Sequence, residues 1–219
     1  MKRVAVGYEH LCRIILMVFI THVAFVVHTC AGLVLAGFFP SVAATYATYR
    51  TWLLDVDDRS WSMRQTWITF HRAWKKELVA ANVLGWPQFA LWALIVWEYW
   101  LVQNNDFGVS GIAVSGLLLV VNVFYGLFVI LSWAVHANFD EGPVWIVRTS
   151  LGMVIARPLC SMMIVLLLLI TAWIYSMWPG LVVAFGLAVP IYVFMATVYS
   201  WGRLPGMDIH AVPRSRDHS

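Results

Sequence analysis

Four long stretches of this sequence contain no lysine or arginine, although the chain has 14 of these residues. Each stretch is apolar and at least about 20 residues long, which is the length that an α-helix needs to cross about 30 Å of hydrocarbon. The last stretch is interrupted by Pro179 and Gly180, so it is long enough for two crossings. The stretches are residues 14–39, 83–102, 109–135 and 159–201.

Charged residues are scarce in the whole chain, at 11% against 62% hydrophobic residues. A water-soluble domain of 219 residues needs more polar side chains than this to cover its surface, so the composition excludes that class of protein. The net charge of +3 is explained by membrane topology, because positive residues flank membrane helices. We therefore expect no nucleic-acid binding.

Motifs of enzymes and metal sites are missing as well. The cysteines Cys12, Cys30 and Cys160 form no CxxC pair, which argues against a disulfide framework and against a zinc site. The sequence contains no phosphate-binding P-loop, no GxSxG motif, no HExxH motif and no paired intramembrane aspartates. The sequence therefore predicts a protein that is not an enzyme and that needs no cofactor.

The apolar stretches predict an all-α polytopic membrane bundle in a single domain, residues 1–203, followed by a disordered polar tail at 204–219. Because proline cannot continue the hydrogen-bond ladder of a helix, we expect a turn at Gly37 to Pro40. The predicted crossings are 14–38, 40–54, 83–102, 109–135, 159–178 and 181–202, with an additional surface helix at 60–82.

The short segment 40–54 decides the predicted topology. If it crosses the membrane, the six crossings place both termini and all 14 positive residues on the cytoplasmic side of a bacterial inner membrane. If it lies flat, five crossings place the N-terminus outside, together with three of the 14 positive residues. A helix over this segment spans only about 22 Å. Charge favours six crossings, and the five-crossing topology is the alternative.

Residues 60–82 have the pattern of a basic amphipathic helix. Apolar side chains recur at steps of three and four along one stripe, and the cations lie away from that stripe. Such a helix is typical of the inner membrane surface, and it equally suits the docking of a cytoplasmic protein. The candidate docking face has Trp67, Phe70 and Trp74 on its apolar side and Arg72, Lys75 and Lys76 on its basic side.

A few polar side chains inside the predicted crossings are candidates for a solute path: Glu98, Asn122, His22 and His28. Glu98 lies about one turn from the end of its helix, where it can reach water. His22 and His28 point about 120° apart around a helix, which favours hydrogen-bonded interior histidines over a shared ligand site. Asn122 is suited to a hydrogen bond between helices.

Several segments together resemble the YesL-like family of bacterial membrane proteins, whose function is unknown. The segments are GFFPSVAATY at 37–46, YRTW at 49–52, TFHRAWK at 69–75, NVLGW at 82–86, ANF at 137–139 and ARPL at 156–159. The resemblance implies a small polytopic protein that is often encoded beside carbohydrate ABC importers and glycoside hydrolases. It carries over no catalytic residues.

Three functions are consistent with these features. The first is a non-enzymatic accessory or assembly component of a carbohydrate ABC import system, whose partners are the lipid bilayer and either ABC permease subunits or a second copy of the chain. The second is a small-solute transporter that uses the candidate path. The third is a permease-like ABC subunit, because residues 140–159 faintly resemble the loop that contacts the ATPase, although its Glu-Ala-Ala start is absent. The basic cytoplasmic surface and the few intramembrane ionisable groups favour the first.

Overall fold

The part of the chain that the structure describes consists of nine α-helices, as the all-α prediction expects. The computed structural model describes residues 2–55 and 60–202, without the side chains of residues 2–7, 9 and 10. The predicted polar tail at 204–219 lies outside the described residues. The helices are α1 (Lys2–Ala31), α2 (Leu35–Leu54), α3 (Met63–Glu77), α4 (Ala80–Gln103), α5 (Gly108–Asn138), α6 (Pro143–Ala156), α7 (Pro158–Met177), α8 (Pro179–Phe185) and α9 (Ala188–Trp201).

Four helices are long and apolar enough to cross a membrane, namely α1 over Leu11–Ala31, α4, α5 and α7. Helices α8 and α9 are long and apolar enough only when they are taken together. The chain bends by 73° between them, so they form a fifth candidate span with a break. Many large apolar side chains of α4, α5 and α7 are exposed on the isolated chain, which indicates a lipid environment around them. The chain is therefore a polytopic helical membrane protein.

The first turn lies earlier than the sequence predicts. It occupies residues 32–34, and Pro40 lies inside α2 instead of preceding it. Proline lacks the N–H that would bond to the carbonyl of Ala36 in a regular helix. The side-chain amide of Asn82 donates to that carbonyl at 2.9 Å. Because the free carbonyl is satisfied by another helix, α2 continues through Pro40 and reaches 20 residues.

The predicted crossing at 181–202 is also corrected, because it is two helices with a break at Gly186. The φ angle of Gly186 is +37°, and a Cβ atom at this position would lie 2.3 Å from the Cε1 atom of the His22 ring. The close approach of α1 therefore requires glycine here. The predicted surface helix at 60–82 likewise divides, since α3 ends at Glu77 and α4 begins at Ala80.

Both ends of α2 lie at one end of the bundle, which we call the basic end. Here α4 begins and α5 ends, and Glu77 just before α4 contacts His136 of α5 at 2.8 Å. The start of α2 is bonded to Asn82 of α4, as described above. Near the other end of α2, Arg50 Nε donates to Oδ1 of Asn138, the last residue of α5, at 3.2 Å.

The predicted sixth crossing at 40–54 is therefore not supported. Helix α2 stays at the basic end, 13 of its 20 residues are buried, and its serine, threonine and tyrosine content leaves it outside the candidate spans. At the same end, His28 near the end of α1 contacts α3, and Tyr199 near the end of α9 contacts Asn138. Since α1 and α9 both run towards the basic end, the start of α1 and the end of α9 lie at opposite ends of the bundle. The five-crossing alternative fits this arrangement.

Single cysteines test this topology in oriented membrane vesicles, after Cys12, Cys30 and Cys160 have been replaced. We expect Ala5→Cys and Asn104→Cys to react with an impermeant maleimide from the same side of the membrane. Gly142→Cys, which precedes α6 and has open space around it, should react only from the other side. Labelling of Ala5→Cys from the side that labels Gly142→Cys would contradict five crossings.

Candidate functional site

The apolar stripe of α3 packs inside the molecule. Phe70 is fully buried, and Trp67 and Trp74 are half-buried against the core. Their rings surround His28 of α1, with centroid distances of 5.1 Å to Phe70 and 5.3 Å to each tryptophan. The apolar side of the predicted docking face is therefore largely occupied, because α3 returns along α1 and α2 and covers them. Phe70 has no exposed surface, whereas Trp67 and Trp74 keep part of theirs, so contact of this side with lipid or a partner stays a prediction.

His28 holds α3 in place through a pair of hydrogen bonds. Its Nδ1 donates to the carbonyl of Ala24 at 2.8 Å, so Nε2 of the neutral ring is an acceptor. The Nδ1–H of His71 in α3 donates to this acceptor at 2.8 Å. His28 is only 4% exposed, so both nitrogens are satisfied within the protein. The contact links α1 directly to α3.

The basic side of α3 faces outwards. Arg72, Lys75 and Lys76 are exposed, as the sequence pattern predicts for the basic half of the docking face. Lys76 contacts Asp140 at 3.8 Å, but the two side chains are 69% and 98% exposed. A pair this exposed contributes about 1 kcal/mol at most. With its apolar side packed and its basic side exposed, α3 presents cations on a fixed surface.

His22 lies at the break between α8 and α9. Its Nε2 donates to the carbonyl of Val183 at 3.1 Å, and the hydroxyl of Tyr175 donates to the carbonyl of Gly186 at 2.8 Å. Both carbonyls lie where the helix is interrupted, and Pro190 has no N–H for the second one. The Nδ1 of His22 is buried without a hydrogen-bond partner. The break therefore combines satisfied backbone carbonyls with one unused acceptor.

Glu98 and Asn122 lie away from both histidines. Glu98 is exposed and lines an open groove of about 460 Å³ between α4 and α5, which Trp97 and Leu118 also line. Asn122 is half-buried and donates to the carbonyl of Leu118 on its own helix at 2.9 Å. The structure therefore separates the predicted path residues: His22 is at the α8–α9 break, His28 is under α3, and the other two are on the α4–α5 pair.

A polar cluster at the basic end was missed by the sequence reasoning. Asn138 Oδ1 accepts hydrogen bonds from Arg50 Nε and from the hydroxyl of Tyr199, and its Nδ2 donates to the carbonyl of Ala134 at 2.8 Å. The cluster joins α2, α5 and α9. One signal was present, because Arg50 is the single charged residue in the sequence of α2. Its partner Asn138 lies 88 residues away, and no spacing pattern connects the two.

Replacement of His28 tests whether it holds α3. We expect His28→Ala to lower the free energy of unfolding by about 1–3 kcal/mol, because it leaves His71 unpaired and opens a cavity among three aromatic rings. Hydrogen exchange in Met63–Glu77 should become faster. Lys75→Ala, an exposed change on the same helix, should leave both quantities unchanged. Equal exchange of α3 in the two variants would contradict the assigned role of His28.

Comparison with known proteins gives a family match over the helices just described. Residues 18–99 match the model of a family described as "Protein of unknown function, DUF624". No curated protein and no solved structure matches the chain. The matched region contains α2, α3, the α1 segment with His22 and His28, and most of α4. The match is consistent with the predicted resemblance to the YesL-like family, and it covers residues 18–99.

Proposed function

We propose that this chain is a non-enzymatic accessory or assembly component of a bacterial carbohydrate ABC import system. The observation that supports this function is the orientation of α3, whose basic residues Arg72, Lys75 and Lys76 are exposed while its apolar side is packed against α1. A fixed row of cations suits contact with acidic groups on a partner and with anionic lipid. The link to carbohydrate import comes from the family resemblance.

We place the basic end on the cytoplasmic side of the inner membrane. Five crossings with this orientation leave Lys2, Arg3 and Arg13 outside, and the remaining 11 of the 14 positive residues lie in cytoplasmic segments. This distribution follows the positive-inside rule, whereas the reverse orientation opposes it. The C-terminus is then cytoplasmic and the N-terminus is outside.

The exposed apolar faces of α4, α5 and α7 supply the membrane part of the proposed interface. In the most apolar segment of each of these helices, only 17% to 22% of the residues are buried, compared with 39% in α1. Helices with so much free surface can contact lipid, the helices of an ABC permease subunit or a second copy of the chain. In this proposal α1 and α2 form the rigid centre, and α3 to α5 contact the partner.

Charge reversal on α3 tests the docking role. We expect Lys75→Glu combined with Lys76→Glu to reduce co-purification of the permease subunit from native membranes in mild detergent about tenfold, because attraction to acidic groups becomes repulsion. Arg148→Glu, an exposed change on α6, is the matched control and should retain capture. Thermal unfolding should be nearly the same in both variants, since the substituted residues are exposed.

Two results would contradict the proposal. If the wild-type chain captures no permease or binding protein from its native membranes, the accessory function is wrong. If the wild type captures the permease and the doubly substituted chain does so equally well, the partner does not bind the basic face of α3.

The second candidate function is a small-solute transporter, and the broken helix at Gly186 is the observation that favours it. Transporters often place their substrate or coupling ion at discontinuous helices near the middle of the membrane. Here the break lies against His22, whose buried Nδ1 is an unused hydrogen-bond acceptor. Ionisable residues inside a membrane bundle are rare, and they usually mark a functional site.

Sugar flux into proteoliposomes tests this second candidate. If the chain is a transporter, stopped-flow light scattering should show faster equilibration of glucose or sucrose than in protein-free liposomes. We expect His22→Ala to slow this flux about tenfold or more, because it removes the polar group at the break. Glu98→Gln and Asn122→Ala lie elsewhere and should retain it. The absence of protein-dependent flux in the wild type would contradict sugar transport.

A further inference from the structure

Arg50 carries a positive charge into a partly buried position at the basic end. It is half-buried where α2, α5 and α9 meet. Its guanidinium donates to the side-chain oxygen of Asn138, which also accepts from the hydroxyl of Tyr199, and both of these groups are neutral. Within residues 2–55 and 60–202, no carboxylate pairs with it. Since a partly buried charge is costly without a partner of opposite sign, this site favours an anion.

The guanidinium also has donors to spare. It carries five N–H groups, of which Asn138 uses the one on Nε. Four N–H groups are left on the planar fork, and its position is fixed because Asn138 is itself bonded to Ala134 and Tyr199. A fixed arginine fork matches the oxygen atoms of a phosphate, which accepts two or more parallel hydrogen bonds.

We propose that Arg50 binds a phosphate group at the basic end of the bundle. The last residues of α5 and α9 lie beside it, so the site is at the level where membrane spans end and lipid headgroups begin. Phosphate chemistry is supplied there by phospholipid headgroups and by free phosphate in the cytoplasm. The site is separate from the basic face of α3, and the inference does not depend on the import function.

A lipid titration of the purified full chain in mild detergent tests this site. Phosphatidylglycerol should raise the unfolding temperature of the wild type in a saturable way, and zwitterionic phosphatidylcholine should raise it less. We expect Arg50→Gln to shift the phosphatidylglycerol midpoint at least about tenfold, because a charge-assisted bidentate contact is lost. Arg148→Gln removes one exposed cation of α6, away from the basic face of α3, and should keep the wild-type midpoint.

Inorganic phosphate in the same assay identifies the source of the anion. If it gives a saturable, Arg50-dependent shift that equals the shift with phosphatidylglycerol, the ligand is free phosphate. If only the lipid gives the shift, the ligand is a headgroup. Both results support a phosphate site at Arg50. Equal midpoints in the wild type and Arg50→Gln would overturn the proposal, and so would a midpoint that changes in Arg148→Gln alone.

Arg50→Lys keeps the proposal testable if Arg50→Gln does not fold. This variant retains the positive charge but loses the planar fork, so we expect the phosphatidylglycerol midpoint to rise about tenfold although the chain stays folded. An unchanged midpoint in Arg50→Lys would show that the fork does not bind the phosphate, which would also overturn the proposal.

Discussion

Backbone carbonyls that lack a helical donor are the constraint on which this structure depends. In an apolar membrane environment an unpaired carbonyl costs several kcal/mol, so another group of the protein must bond to it. The chain meets this demand at Ala36 with the amide of Asn82, at Val183 with the ring of His22 and at Gly186 with the hydroxyl of Tyr175. In each case the donor belongs to a different helix. The same bonds therefore satisfy the backbone and fix the helix arrangement.

The bond between Asn82 and Ala36 has the widest consequences. It lets α2 continue past Pro40, and a full-length α2 carries Arg50 to the end of α5, where Asn138 accepts its hydrogen bond. With α2 kept at the basic end, the following segment returns along α1 and α2 as α3, and His28 receives the hydrogen bond of His71. The apolar side of α3 is then covered and its cations are exposed. One side-chain amide thus contributes to the site that we propose for docking.

Most of the membrane-spanning architecture could be predicted from the sequence, because helix length and apolar composition are local properties. The basic side of α3 could be predicted for the same reason. Two features could not. The turn near Pro40 and the single helix at 181–202 were wrong because each outcome depends on a contact from another helix, Asn82 in the first case and His22 in the second. The packing of the apolar stripe of α3 against α1 could not be predicted either, because it depends on how distant helices come together.

The prediction of six crossings relied on counting positive residues, and this count does not include the contacts that hold α2 in place. The positive-inside rule treats every cation as free to choose a side, and it therefore favours moving the three N-terminal positive residues inside by adding a crossing. In the structure, α2 is held at both ends by side-chain hydrogen bonds, to Asn82 and to Asn138, and most of its surface is buried against protein. A helix held in this way has little surface left for lipid. The place of α2 is decided by these contacts.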